Sequence, residues 1–183
     1  PVSIYLKLRD QFTNTILLES SDYIAKDNSY AYICCNPIAK FYVKKNILFK
    51  EFPDNSKKET KLTSTTNILS ELDDFMRTFE IDDNSVESKK YISKGLFGYM
   101  SYDSIKFFEN IEVENDSYGD EIPEIFYSFF REIIVINTFN NEATLISHSG
   151  DVEKINRLEK LIKTKKTNEF SFKIEGEIKS NLK

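Results

Sequence analysis

The sequence predicts an α+β domain, an antiparallel-rich β-sheet with helices packed on it. Three observations carry this reading. Strand-like apolar segments come in runs, over 30–49 and 125–147, rather than in strict alternation with helices. Short polar connections, Lys44-Lys45-Asn46 and Asn140-Asn141, join neighbouring strand-like segments as hairpin turns do. Helical periodicity is confined to separate stretches near 3–11, 68–79 and 152–162.

Taken in order, Ile4, Tyr5, Leu8 and Phe12 recur at helical spacing and predict a first helix that Thr13-Asn14 breaks. Thr15-Ile16-Leu17-Leu18-Glu19-Ser20 has the length and apolarity of a short buried strand, and 21–29 is polar and turn-rich. A meander follows, with strands over 30–35, 40–43 and 47–49 and a break at Asn36-Pro37 between the first two. Residues 53–63 read as a charged loop. Ile68, Leu69, Leu72, Phe75, Met76 and Phe79 form one apolar helix face, with Ser64 or Thr65 as cap. Glu71, Asp73 and Asp74 lie off that face and read as solvated surface rather than as a catalytic pair.

Gly95 and Gly98, three apart among apolar residues, fit neither phosphate-loop pattern; they read as marks of close backbone approach or a bulge. A short helix over 104–109 and an acidic loop over 110–121, ended by Pro123, lead into the apolar run 125–139. Asn140-Asn141 turns that run back into a strand over 143–147. Val152, Ile155, Leu158 and Ile162 give the last helix, opened by Ser149-Gly150-Asp151, and Phe170, Phe172 and Ile174 alternate as an extended arm.

The 183 residues suffice for one domain with an extension, and 40 % hydrophobic with 30 % charged residues indicates a globular chain. A net charge of −5 with dispersed lysines excludes a nucleic-acid stripe, and no apolar run reaches the ~20 residues of a membrane span. The start, Pro1-Val2-Ser3-Ile4, lacks the stages of a signal peptide. Cys34 and Cys35 are adjacent, so they offer no disulfide framework, read as core and point to a reducing, cytoplasmic setting. With His148 as the only histidine, a usual zinc site cannot be assembled, and no nucleophile motif is present. The chain therefore presents no catalytic residue, no metal ligand set and no cofactor site.

Three stretches together resemble the amino-terminal domain of anthranilate synthase component I. They are the opening Pro1-Val2-Ser3-Ile4-Tyr5-Leu6-Lys7-Leu8-Arg9; then Leu17-Leu18-Glu19-Ser20 followed by Tyr30-Ala31-Tyr32-Ile33 and Asn36-Pro37; then Gly95-Leu96-Phe97-Gly98-Tyr99-Met100-Ser101-Tyr102-Asp103 with Phe107-Phe108-Glu109 and Ile122-Pro123-Glu124. The resemblance implies a regulatory domain over 1–168 and, over 169–183, a connector toward a carboxy-terminal chorismate-binding domain. It implies a lyase that converts chorismate to anthranilate and pyruvate with Mg²⁺ held by that other domain. Ammonia comes free or from a glutamine amidotransferase partner, and this chain alone is inactive. It also implies a tryptophan feedback site to which Leu18, Glu19, Ser20 and Tyr30 contribute. Glu19 or nearby carbonyls would meet the ammonium, Ser20 would serve as donor or acceptor, and Leu18 would form apolar wall. Where the family often carries an Arg-Tyr-Ser-Phe-type segment, this chain has Ser29-Tyr30-Ala31-Tyr32. The aromatic strand near Phe126, Phe129 and Phe130 is the expected face toward the catalytic half. Component I of aminodeoxychorismate synthase is built alike and remains an alternative, as does a stand-alone amino-acid-binding module.

Overall fold

Two long strands organise the chain. In the computed structural model, which describes residues 1–19, 29–63, 65–80, 91–109, 111, 122–164, 171, 173, 175 and 176, β2 (Tyr30–Lys44) and β6 (Ile125–Asn137) pair along almost their whole lengths. Each has different outer neighbours at its two ends. At one end β1 (Ile16–Leu18) flanks β2 and β7 (Glu142–Ser147) flanks β6. At the other, β3 (Ile47–Glu51) and then β4 (Lys57–Lys61) extend from β2, and β5 (Phe97–Met100) pairs with β6. All the pairings of this seven-stranded sheet are antiparallel. Together with the helices this is the α+β architecture the sequence predicts.

Alternation sorts the side chains of β2. Ala31, Ile33 and Cys35 bury against α1 (Val2–Arg9) and α3 (Val152–Thr164), joining Leu8 and Leu158. Further along, Ala39, Phe41 and Val43 bury against Ile68 and Phe75 of α2 (Ile68–Arg77). Burying a side chain of this size contributes ~1.5–3 kcal/mol, so α1 and α3 fix the sheet at one end of the long strands and α2 fixes it at the other. Lys7 Nζ donates to the Ile162 carbonyl at 2.6 Å and ties α1 to the last turn of α3. Tyr30, Tyr32 and Cys34 point to the opposite side, where they meet Phe97, Phe130, Ile133 and Val135. Among the described residues this second cluster receives nothing from a helix.

Several expectations need correction. Asn36-Pro37 does not end a strand: β2 runs through it as a bulge, with the register shifting between Pro37 and Ala39. Asn36 absorbs the kink at φ +56°, a left-handed conformation that asparagine tolerates. Residues 57–61 form an edge strand rather than loop; their lysines carry no apolar alternation, and such charge is how edges resist unwanted pairing. The cap of α2 is Asn67, whose Oδ1 accepts from the Ser70 amide at 3.1 Å, not Ser64 or Thr65.

Leu69 and Met76 lie at the margins of the apolar stripe of α2 and stay 57 % and 44 % exposed, as Val152 of α3 does at 66 %. Residues 138–141, rather than two asparagines, close the second hairpin, because Asn137 Oδ1 accepts from the amides of Phe139 and Asn140. Lys45 and Asn46, both at positive φ, make the first hairpin turn as expected. The short helix begins earlier than expected and is a 3₁₀ segment over Tyr102–Phe107. The acidic loop, apart from Ile111 and residues past 121, and the alternating Phe170, Phe172 and Ile174 lie outside the described residues.

Candidate functional site

The residues singled out by the sequence meet at one end of the β1–β2 pair. Leu18 stands directly opposite Tyr32, so it shares a face with Tyr32 and with Tyr30 two residues earlier. That is the side turned away from α1 and α3. Tyr30 is half-buried, its ring edge-on to Tyr91 at 5.4 Å; Tyr32 lies 5.9 Å from Phe97, and its hydroxyl accepts from the Ile92 amide at 3.4 Å. Leu18 is 39 % exposed, and Glu19, just past the strand, is exposed with no hydrogen bond or ion pair among the described residues. Ser20 lies outside the described residues.

This arrangement supplies an apolar, aromatic wall, with the exposed Glu19 as the next residue after Leu18. An apolar wall is one of the three features a zwitterionic aromatic amino acid requires. Tyr32 and Tyr91 belong to the wall, although the sequence reading singled out only Tyr30. The alternation of Tyr30 and Tyr32 signals the first addition; Tyr91 is remote in sequence and carries no such signal.

Toward the other end of the long strands, a row of aromatics crosses four strands. Phe49 stacks on Tyr42 at 4.7 Å, Tyr42 lies 6.0 Å from Phe126, and Phe126 lies 6.2 Å from Tyr99. These rings are half-buried or exposed. Phe126 thus joins an accessible face as expected, whereas Phe129 and Phe130, at 6 % and 2 % exposed, are core.

The candidate chemistry elsewhere has structural partners. Both thiols are free and fully buried; burial pushes Cys34 up strongly and Cys35 up to about 12, so neither is a ready thiolate. His148 Nε2 lies 2.9 Å from the Ser93 carbonyl, which can only accept, so this nitrogen carries the proton. Burial holds the His148 imidazole below its usual value. Glu71 is not merely solvated: it pairs at 2.7 Å with Lys50, a nearly buried lysine lying over the Phe41 ring. Among the described residues no group of three or more His, Cys, Asp or Glu side chains converges to hold a metal ion. No described helix is long and apolar enough to cross a membrane.

No family model matches the chain. It is 30 % identical over 115 residues to anthranilate synthase component 1 of Aquifex aeolicus (strain VF5). The match covers 63 % of this chain and 22 % of that protein. The chain is therefore similar to part of an anthranilate synthase component, over a stretch that leaves most of the relative's length unmatched.

Proposed function

We propose that this chain is the amino-terminal, regulatory and structural part of an anthranilate synthase component I. The whole protein would convert chorismate and ammonia, free or drawn from glutamine by an amidotransferase subunit, to anthranilate and pyruvate. The single observation that carries the reading is the 30 % identity over 115 residues to the Aquifex aeolicus protein. The α+β fold is compatible with it, and the aromatic wall around Tyr30 gives it a chemical locus. On this reading Leu18, Glu19, Ser20 and Tyr30 contribute part of a tryptophan feedback site. Tyr32 and Tyr91 extend its apolar wall.

Chorismate and Mg²⁺ would be held by a carboxy-terminal domain beyond a connector over 169–183. On this reading the chemical steps belong to that domain. The row Phe49–Tyr42–Phe126–Tyr99 is the surface on which that domain would pack. The buried free thiols fit a reducing cytoplasm.

The test joins two measurements. Pure chain with chorismate, Mg²⁺ and ammonia should yield no anthranilate fluorescence. A protein that carries this chain fused to a chorismate-binding domain should yield it and be inhibited by tryptophan. Ser20→Phe in that protein should raise the half-inhibiting tryptophan concentration at least tenfold, which is ~1.4 kcal/mol of lost binding. Anthranilate from the chain alone, or an unchanged inhibition curve, would refute the assignment; aminodeoxychorismate as the product would transfer it to the folate branch.

A further inference from the structure

Where Asn36 kinks β2, the helical face of the sheet opens into a cavity of about 230 Å³ between the end of α1 and α3. Its wall holds Glu132, a residue only 4 % exposed, on the strand that pairs with β2 at the kink. The Asn36 side chain donates to Glu132 Oε2 at 2.6 Å, and among the described residues that neutral amide is its one hydrogen-bond partner. Arg131 and Lys154 act on the carboxylate only through space, since Lys154 pairs with Asp151 at 3.2 Å. A buried carboxylate with one amide donor has unused acceptor capacity, and the group that best fills it is a cation bearing N–H bonds. Phe12, Leu158 and Leu161 supply an apolar floor, and the exposed Arg157, without an ion pair among the described residues, stands at the rim beside Lys154.

The cavity thus presents, in a small space, a buried anion, an apolar surface and a cationic rim. It is smaller than the ~300–1,000 Å³ of pockets for drug-sized ligands. We propose that it binds a free amino acid with an apolar side chain. The ammonium sits on Glu132, the carboxylate on Arg157, and the side chain against Phe12, Leu158 and Leu161. The site is separate from the one around Tyr30: Tyr30 pairs with Asn137 whereas Cys35 pairs with Glu132, and five residues of strand at ~3.3 Å each put ~17 Å between them. The inference therefore stands whether or not the tryptophan reading holds.

The experiment is a heteronuclear NMR titration of the 183-residue chain with leucine and phenylalanine, with N-acetylphenylalanine and with phenylalaninamide. Expected are saturating shifts at Phe12, Leu158 and Leu161 with the free amino acids. The N-acetyl compound, which lacks the ammonium, should bind at least tenfold more weakly, and the amide should bind detectably more weakly than the free acid. Losing one charge-assisted hydrogen bond is worth about a factor of ten or more. Glu132→Gln keeps an acceptor for Asn36 and should hold the fold while losing binding at least tenfold. Arg157→Glu, at an exposed helix position, should do the same. No shift at these residues up to ~20 mM would overturn the proposal, as would binding that survives both substitutions. Shifts confined to Leu18 and Tyr30 would also overturn it and leave the other site standing.

Discussion

Gly98 is the position where the fold is least able to yield. A Cβ built there would lie 2.8 Å from both the carbonyl carbon of Phe126 and the Cα of Tyr127, with the Phe126 oxygen closer still. These are backbone atoms of β6, which is paired with β2 on its other side, so no rotamer change relieves the clash. Overpacking a core costs ~1–3 kcal/mol and sometimes more, and an obstacle made of backbone puts Gly98→Ala at the top of that range. The stiffer unfolded chain returns ~0.4–1 kcal/mol, leaving a net loss of ~2–3 kcal/mol. For a chain of this size each kcal/mol lowers Tm by ~2–4 °C, so a fall of roughly 5–10 °C is expected. Gly95→Ala is the internal control: its Cβ would meet only the tip of the Ile92 side chain at 3.4 Å, and it should stay within ~0.5 kcal/mol of the parent. Thermal and urea unfolding followed by circular dichroism measure both. A Gly98→Ala melt within ~2 °C of the parent, or equal losses for the two glycines, would refute close backbone approach as the reason for glycine at 98.

Asn67→Ala removes the hydrogen bond that caps α2 and should cost ~1 kcal/mol in urea unfolding, whereas Thr65→Ala should cost less than half of that. Burial raises the Glu132 carboxyl above its ordinary 4.5 against the pull of Asn36, Arg131 and Lys154. Its folded-state pKa thus exceeds the unfolded one, and its favourable contribution, present below the unfolded value, is lost as pH rises through the folded one. Glu132→Gln should therefore melt higher than the parent at pH 7–8, with the gap closing toward pH 4; a gap of opposite sign or without pH dependence would contradict the desolvation argument. Cys34 and Cys35, buried and raised, should resist a disulfide reagent at pH 8 in the native chain and react at once in denaturant; native labelling at the rate of a free thiol would show the cluster to be open.

The layout of helices and sheet was legible because the core-facing residues repeat with clear periods. Ile4, Tyr5, Leu8 and Phe12 pack as one face, as do Ile68, Leu72, Phe75 and Phe79. What escaped had no periodic signal or depended on distant partners. The strand Lys57–Lys61 is held by backbone pairing to β3, so its side chains show no apolar alternation. Asn36-Pro37 has the composition of a turn, but the apolar segments on both sides bury against one continuous partner, β6, and tertiary pairing overrides the local break. The candidate site was half legible. Leu18 and Tyr30 do share a face, while Tyr91 reaches it from a remote segment. Glu132 gave no sign of its role, since its burial and its partner Asn36 exist only once the strands pair.

The long strands also explain why both faces of this sheet matter. A strand with one solvated face alternates buried and exposed residues, yet nearly all of β6 from Ser128 to Asn137 is buried, with Arg131 the exception. Its sequence, Phe129-Phe130-Arg131-Glu132-Ile133-Ile134-Val135-Ile136, is correspondingly apolar at both parities. Ile134 and Ile136 pack with α1 and α3, while Ile133 and Val135 pack on the other side with Tyr30, Tyr32 and Phe97 in a cluster that Phe130 also joins. At the opposite end of the same strand the neighbours change. Phe126 meets the rings of Tyr42 and Tyr99 in a row that stays half-open, whereas Ala39, Phe41 and Val43 bury against Ile68 and Phe75 of α2. The two ends of the long strands are therefore covered by different helices, α1 and α3 at one and α2 at the other. Both candidate sites follow from this layout: the aromatic wall lies on the side of β2 away from α1 and α3, where side chains alone cover it, and the Glu132 cavity lies beside the kink at Asn36, between the end of α1 and α3.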